Sequence, residues 1–433
     1  MDTTLNTVEL QDILNGATQP VAQPSIPSNL LKKRENAFAS FREIGLPKVK
    51  DEEFKYTNFG KVLKNNFSFQ PSSKVAESEI SDFFIKDTEA FRLVFINGRL
   101  SEELSDIAGS ESALEVSDIN TVPSEEIDKY YAQAGSDQAD GFTLLNNALS
   151  ENGVFIKVKR NKVVSRPVVL YYITDTKQGN AFVQPHNIIV GEENAEASFV
   201  QSFHSIGSDK SFNNIVTEAY LKESANIQLY TIQNDREESY QVNRCFAHQL
   251  GKSRFYASTI TLNGSMIRND LNILMKAEHS ESELYGLYLL KDNAHADNHT
   301  LVDHAVPNCY SNELYKGILD NKSTGVFNGK IYVRLDAQKT NAFQSNKSIL
   351  LSKDATMNTK PQLEIFADDV KCTHGATIGQ LDEEPLFYLR SRGIKEETAK
   401  KLLVLAFAQD IVNNIRNVQL KHILTDLITK RIS

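Results

Sequence analysis

Apolar and polar positions along the 433-residue chain follow three periods in succession. From Leu30 to about Asn146 the signal is mainly helical. LLKKRENAFASFREIG sets Leu31, Ala37, Phe38, Phe41 and Ile44 near one helical face, and Gly45 and Pro47 stop it. EEIDKYYAQAG and GFTLLNNALS predict two more short helices. One strand, RLVFING at 92–98, interrupts them, and SDIAGSESALEVSD reads as a polar loop.

From Val154 to about Thr377 strand-like runs follow one another with no helix between them: VFIKVK, VVLYYIT, NIIVGE, ASFVQSF, NIQLYTI, FYASTITL, LNILMK, ELYGLYLL, GKIYVRL, SILLS and LEIFA. Asn, Asp, Ser, Lys and Gly punctuate them. A segment of this kind suits a large sandwich, a barrel or a β-helix. Hairpin dipeptides are scarce, Asn263-Gly264 and Asn328-Gly329 being the exceptions. Asp336-Ala337, Asp354-Ala355 and Asp368-Asp369 each end an apolar run, at spacings of 18 and 14. Stacked coils of a parallel β-helix produce such a recurrence, because each coil turns at similar places. From Asp382 onward helix returns. Ala399, Leu402, Leu403, Ala406, Phe407 and Ile411 follow 3- and 4-residue steps, and so do Leu420, Ile423, Leu424, Leu427 and Ile428. The expected divisions are 1–150, 151–380 and 381–433.

Composition narrows the function more than the fold. Hydrophobic residues are 40%, charged residues 24%, and the net charge is −9. The negative balance argues against nucleic acid as a partner, since phosphate binding needs concentrated Lys and Arg. No run of about 18 apolar residues spans a membrane. The start, MDTTLNTVELQDILNGA, has no basic or apolar region of a secretory signal. Cys245, Cys309 and Cys372 are too few and too dispersed for a disulfide framework, and no CxxC pair marks a zinc site. The expected compartment is the cytoplasm, or an organelle stroma if a transit peptide has been removed.

No phosphate loop, dinucleotide fingerprint, nucleophile elbow or HExxH motif occurs. The densest run of metal-ligand types is HADNHTLVDH. On a strand, His295, Asp297 and His299 share a face and offer imidazole and carboxylate to a divalent metal, as a stand-alone metal-binding protein would. The plainer reading makes them turn residues that satisfy backbone groups. In DDVKCTHGATIG, Cys372 and His374 also share a strand face, about 7 Å apart at Cα. Thiolate and imidazole suit iron, an iron–sulfur cluster or zinc, but two ligands make only half a site. A carbohydrate-active β-helix enzyme would need convergent carboxylates. Asp368 and Asp369 are adjacent and so point to opposite faces, which leaves Asp297 and Asp303 as candidates.

The segments RNDLNI, ELYGLYLL, ADNHTLVDHAVPNC, ELYKGILD, GVFNGKIYV, AQKTNAFQSN, NTKPQLEIFADDVKCTHGATIGQLD and LFYLRSRGI resemble the SufB/SufD family, in its SufD branch. The likeness is dense from Arg268 to Ile394 and looser upstream, through LNNALSENGVFIKV and DEEFKYTNF. It implies a right-handed parallel β-helix core between helical regions, and a non-catalytic scaffold. Such a scaffold pairs with a SufB-like paralogue and binds a SufC-type ATPase; self-pairing of the isolated chain is left open. A transient iron or iron–sulfur cluster is expected at the interface with the paralogue, and none tightly bound to the isolated chain. The resemblance places His374 at that interface with Cys372 nearby, the remaining ligands coming from the partner. It places ATPase docking near Leu386, Phe387, Tyr388, Arg390, Arg392 and Phe407. It assigns no metal role to His295, Asp297 and His299.

Overall fold

The computed structural model describes residues 26–85 and 89–432, so the reading of the extreme N-terminus lies outside the described residues. Strands make up 43% of the chain and wind as a parallel β-solenoid of about 8 turns, with helices at both ends. Alternate strands along the chain fall into two sheets. The first holds β1 (Ser68–Phe69), β4 (Leu114–Asp118), β5 (Val154–Val158), β7 (Ala181–Val183), β8 (His186–Gly191), β10 (Ser211–Leu221), β12 (Ser239–Gln249), β14 (Met266–Met275), β16 (His295–His304), β18 (Thr324–Val333) and β20 (Thr356–Ile365). The second holds β2 (Phe91–Ile96), β3 (Arg99–Asp106), β6 (Val168–Asp175), β9 (Glu196–Ile206), β11 (Asn226–Asn234), β13 (Arg254–Asn263), β15 (Glu281–Leu290), β17 (Tyr310–Leu319), β19 (Asn341–Leu350) and β21 (Lys371–Gly379).

Register shows the coil length. Ser211 lies beside Ser239, Met266 beside His295, His295 beside Thr324, and Thr324 beside Thr356. A coil therefore takes about thirty residues, and the Asp-Ala recurrence at 18 and 14 marks half-turns. Asn194, Asp292, Asn308 and Asn321 sit at the turns with φ between 54° and 61°. Asn and Asp tolerate this left-handed conformation, which explains the punctuation seen in the sequence.

Between the sheets runs an apolar interior that includes Phe199, Leu229, Phe255, Leu284, Tyr315 and Phe327. Helices cover the outer faces. Helix α1 (Ser28–Ile44), the single turns α2 (Gly60–Leu63) and α3 (Glu77–Ile80), α4 (Ser124–Tyr130) and α5 (Gly141–Leu149) precede the long coils. Of these, α1 and α5 pack Phe41, Phe142 and Leu145 with Phe212 and Val242 of the first sheet. Helices α6 (Glu383–Ser391), α7 (Glu396–Val412) and α8 (Val418–Ile432) follow the solenoid. Val404, Ala408, Leu420 and Leu424 of α7 and α8 pack on Tyr230, Tyr256 and Leu287 of the second sheet.

Several expectations need correcting. The buried stripe of α1 runs through Leu30, Arg34 and Phe41, while Ile44 is 53% exposed, because Arg34 turns inward to Asn120 Oδ1 at 2.9 Å. The stripe of α7 is Ala399, Val404, Ala408, Ile411 and Val412, with Leu402 45% exposed. Its LLVLAFA run is apolar all round, so spacing could not select the face. The supposed loop at 105–118 contains β4. Asn328-Gly329 is no hairpin turn but lies within β18. Strands β10, β12 and β17 had no strand signal because their buried faces carry polar groups. Asn214 Nδ2 donates to the Phe142 carbonyl at 2.9 Å, and Glu218 accepts from the Ala132 and Ala134 amides at 2.8 and 2.9 Å. Arg244 pairs with Asp140, which also caps α5 through the Phe142 and Thr143 amides at 3.0 Å. Each of these buried polar groups therefore has a partner in the N-terminal cover.

Candidate functional site

The row of His295, Asp297 and His299 lies on β16, on the face away from the interior, and is covered by the Glu52–Phe54 turn and Thr57. Asp297 is 1% exposed. It accepts from Thr57 Oγ1 at 2.5 Å and from Arg268 Nη1 at 2.9 Å, and lies 2.9 Å from His299 Nε2. Arg268 also forks onto Asp270 at 2.7 and 3.0 Å, and its guanidinium lies 4.1 Å from the Phe54 ring centroid. His299 Nδ1 reaches Glu53 Oε2 at 3.1 Å, and His295 Nε2 bonds Thr57 Oγ1 at 2.8 Å. Burial opposes charge on Asp297, yet His299 and Arg268 hold it far below the usual carboxylate range. Burial lowers His295; it also opposes charge on His299, but Asp297 beside that ring leaves it above its ordinary value. A guanidinium thus sits among these side chains. Among the described residues, no group of three or more His, Cys, Asp and Glu is arranged to hold a metal ion. The row fastens the N-terminal segment to the solenoid.

At the other candidate pair, β21 is the last strand of its sheet and β20 the last of the first sheet. Cys372, His374, Ala376 and Ile378 continue the columns of Ala342, Gln344, Asn346 and Ser348, in register. In the preceding coil those four positions are buried, at 0–3% exposure. Here no further coil covers them, so His374 is exposed and Ile378 is 45% exposed. Ile365 and Phe366, at 38% and 54%, add apolar surface at the end of β20. Cys372 is half-buried against a cluster of Ile331, Val333, Ala337 and Ala342, and burial pushes its thiol up. Below His374 the column continues to Gln344 and Glu313, with Gln344 Nε2 donating to Glu313 Oε2 at 2.9 Å. Burial pushes the Glu313 carboxyl up to about 7. Alternation within KCTHGAT disclosed the Cys372–His374 face. Nothing local disclosed Gln344 and Glu313, whose place depends on register between coils.

The opposite end of the solenoid is closed. There β3 and β4 pair antiparallel to β2 and β5, and Glu102, Glu103 and Asp106 lie on the edge strand β3. Charge on an edge discourages strand addition. β21 carries no acidic residue.

Of the expected docking residues, Phe387 and Tyr388 on α6 are 72% and 58% exposed. Leu386 is half-buried; Arg390 pairs with Glu396 at 3.4 Å, and Arg392 lies 5.3 Å from the Tyr388 ring centroid. Phe407 stands apart from these, half-buried against the second sheet, with Lys316 Nζ 4.1 Å from its ring centroid. A cavity of about 910 Å³ opens between α6, the first half of α7 and the strands β15, β17 and β19, lined by Leu290, Ile318, Leu350, Leu386, Phe387 and Val404 among others. No helix among the described residues is long and apolar enough to cross a membrane.

Comparison with known proteins agrees with this architecture. The family model for the SUF system FeS cluster assembly, SufBD core domain, matches residues 172–407, and that for the SufBD protein N-terminal region matches residues 8–170. The chain is 31% identical over 418 residues to an iron–sulfur cluster assembly SufBD family protein of Synechocystis, covering 94% of this chain and 91% of the relative. It is 31% identical over 384 residues to the iron–sulfur cluster assembly protein SufD of Escherichia coli, covering 87% of each.

Proposed function

The chain belongs to the SufB/SufD family of SUF-system iron–sulfur cluster assembly proteins, in its SufD branch, and from that premise we propose that it is a non-catalytic scaffold subunit. In this reading it pairs with a SufB-like paralogue through the open rung of its solenoid. It is held by a SufC-type ATPase at α6, and it works in the cytoplasm. The observation that carries the reading is the contrast between the two ends. One is closed by antiparallel, acidic strands, while the other leaves the interior positions Cys372, His374, Ala376 and Ile378 uncovered. Unpaired strand edges with exposed apolar residues favour another sheet as the partner.

Iron, or a cluster in assembly, is cargo at that interface. The His374 imidazole offers one ring nitrogen to it. Cys372, whose burial keeps the thiol protonated, offers Sγ once the proton is displaced. Two side chains leave the coordination incomplete, so the remaining ligands come from the partner.

His374→Ala tests the half-site. The side chain contributes little apolar burial, so its loss should change stability by no more than about 1–2 kcal/mol. The complex should assemble with its ATPase active, yet fail to support cluster maturation in a strain lacking the native gene. Full maturation would make His374 dispensable, and loss of the complex on size exclusion would make the residue a packing element instead.

A further inference from the structure

At one interior position, successive coils place Leu284, Glu313, Gln344 and His374 in register. Burying an acid and an amide where apolar residues pack elsewhere is unfavourable unless their polar groups are used. Glu313 and Gln344 are 2% and 3% exposed. The amide nitrogen of Gln344 is committed to Glu313 Oε2 at 2.9 Å. The opposite sheet makes room for it: a Cβ on Gly329 would stand 2.3 Å from that nitrogen. A planar amide with its nitrogen turned to the preceding coil turns its oxygen toward the following one. That oxygen, Gln344 Oε1, is buried and has no partner among the described residues. The group in register on the following coil is His374. An unpaired buried acceptor is unfavourable, and a ring N–H turned inward about the His374 side-chain torsions would give it a partner.

We propose that Gln344, oriented by Glu313, is the positioning residue for His374: Oε1 accepts one ring N–H and leaves the other ring nitrogen facing out of the open rung. The arrangement extends by one amide the carboxylate–histidine pairing that orients metal-binding imidazoles. It rests on the half-site reading for its purpose, but its geometry can be tested without metal or partner.

The test uses the full chain with isotope-labelled histidine, the His374 signals being assigned by their absence in His374→Ala. A ring N–H on an exposed, free imidazole exchanges with water too fast to be seen, whereas one held by a buried oxygen is protected. The wild type should show a protected His374 N–H. Gln344→Met, which preserves length and packing, should lose it, and Glu313→Gln, which still accepts from the amide, should keep it. Should Gln344→Met fail to fold, Gln344→Asn withdraws the oxygen by one methylene and serves in its place. Gln344→Met should also lower maturation in cells by about tenfold or more. A wild type without the protected N–H, or a Gln344→Met protein that keeps it, overturns the proposal. Full maturation by His374→Ala would instead remove the half-site reading and leave the N–H result to decide the positioning claim alone.

Discussion

Replacing Arg268 with Met should release the N-terminal segment from the solenoid. The guanidinium is 2% exposed and serves two buried carboxylates, forking onto Asp270 and reaching Asp297 at 2.9 Å. After substitution Asp270 retains Arg244 Nη1 at 3.4 Å, and Asp297 retains Thr57 and His299. Methionine keeps much of the apolar stem against Phe54, so the loss is chiefly electrostatic. Removing one partner from a buried ion pair costs about 3–5 kcal/mol, which is about two to three and a half decades in an opening equilibrium. Because the network joins β14 and β16 to the Glu52–Phe54 turn, the effect should be concentrated there. Hydrogen exchange should show amides of residues 52–59 losing protection by about that factor, while interior strands such as β11 and β13 change little. Loss of less than about 1 kcal/mol, or a loss spread evenly over the solenoid, would refute the clamp.

Other consequences can be measured separately. Since His299 sits above its ordinary value of 6.5 beside Asp297, its contribution is fully present below that value and is lost as pH rises through the folded-state value. Protection of residues 52–59 should therefore fall as pH rises above the ordinary histidine range, after correction for intrinsic exchange, and His299→Gln should flatten the dependence; constant protection in the wild type would contradict this. Phe387→Asp or Tyr388→Asp should leave the fold intact, yet weaken capture of the ATPase by about 2–4 kcal/mol. Unchanged capture would place docking elsewhere. With no phosphate-cradling loop in the sequence, calorimetry of the chain alone should register no ATP binding, and stoichiometric heat would be the contrary result.

Much of this was legible where a strand is apolar and β-branched along its length. The runs VVLYYIT and FYASTITL disclosed β6 and β13, which are buried on both faces, and alternation put Cys372 and His374 on one face. The sequence was silent where a covered face is polar. Residues such as Glu218 and Arg244 look like surface groups until α5 and the 132–134 segment are placed over them. Gly329 reads as a turn residue, and its purpose appears only when Gln344, fifteen positions on, crosses toward it. In α7 an apolar circumference concealed which side would be buried. The Glu313–Gln344 column was hidden for a related reason: contacts between residues about thirty positions apart depend on the length of each coil, which the composition of no single strand reveals.

Closure at one end sets a limit on stoichiometry. A rod that could accept a neighbour at both ends would propagate head to tail, as open heterologous contacts do when rotation fails to close them. Among the described residues the parallel edge left open is that of β20 and β21, while at the other end β3 and β4 turn the chain back antiparallel and β3 presents an acidic edge. Two such rods meeting at their acceptor edges use up both and stop. In the proposed pairing, the antiparallel strands at the remote end would thus limit the assembly to a pair rather than a fibre.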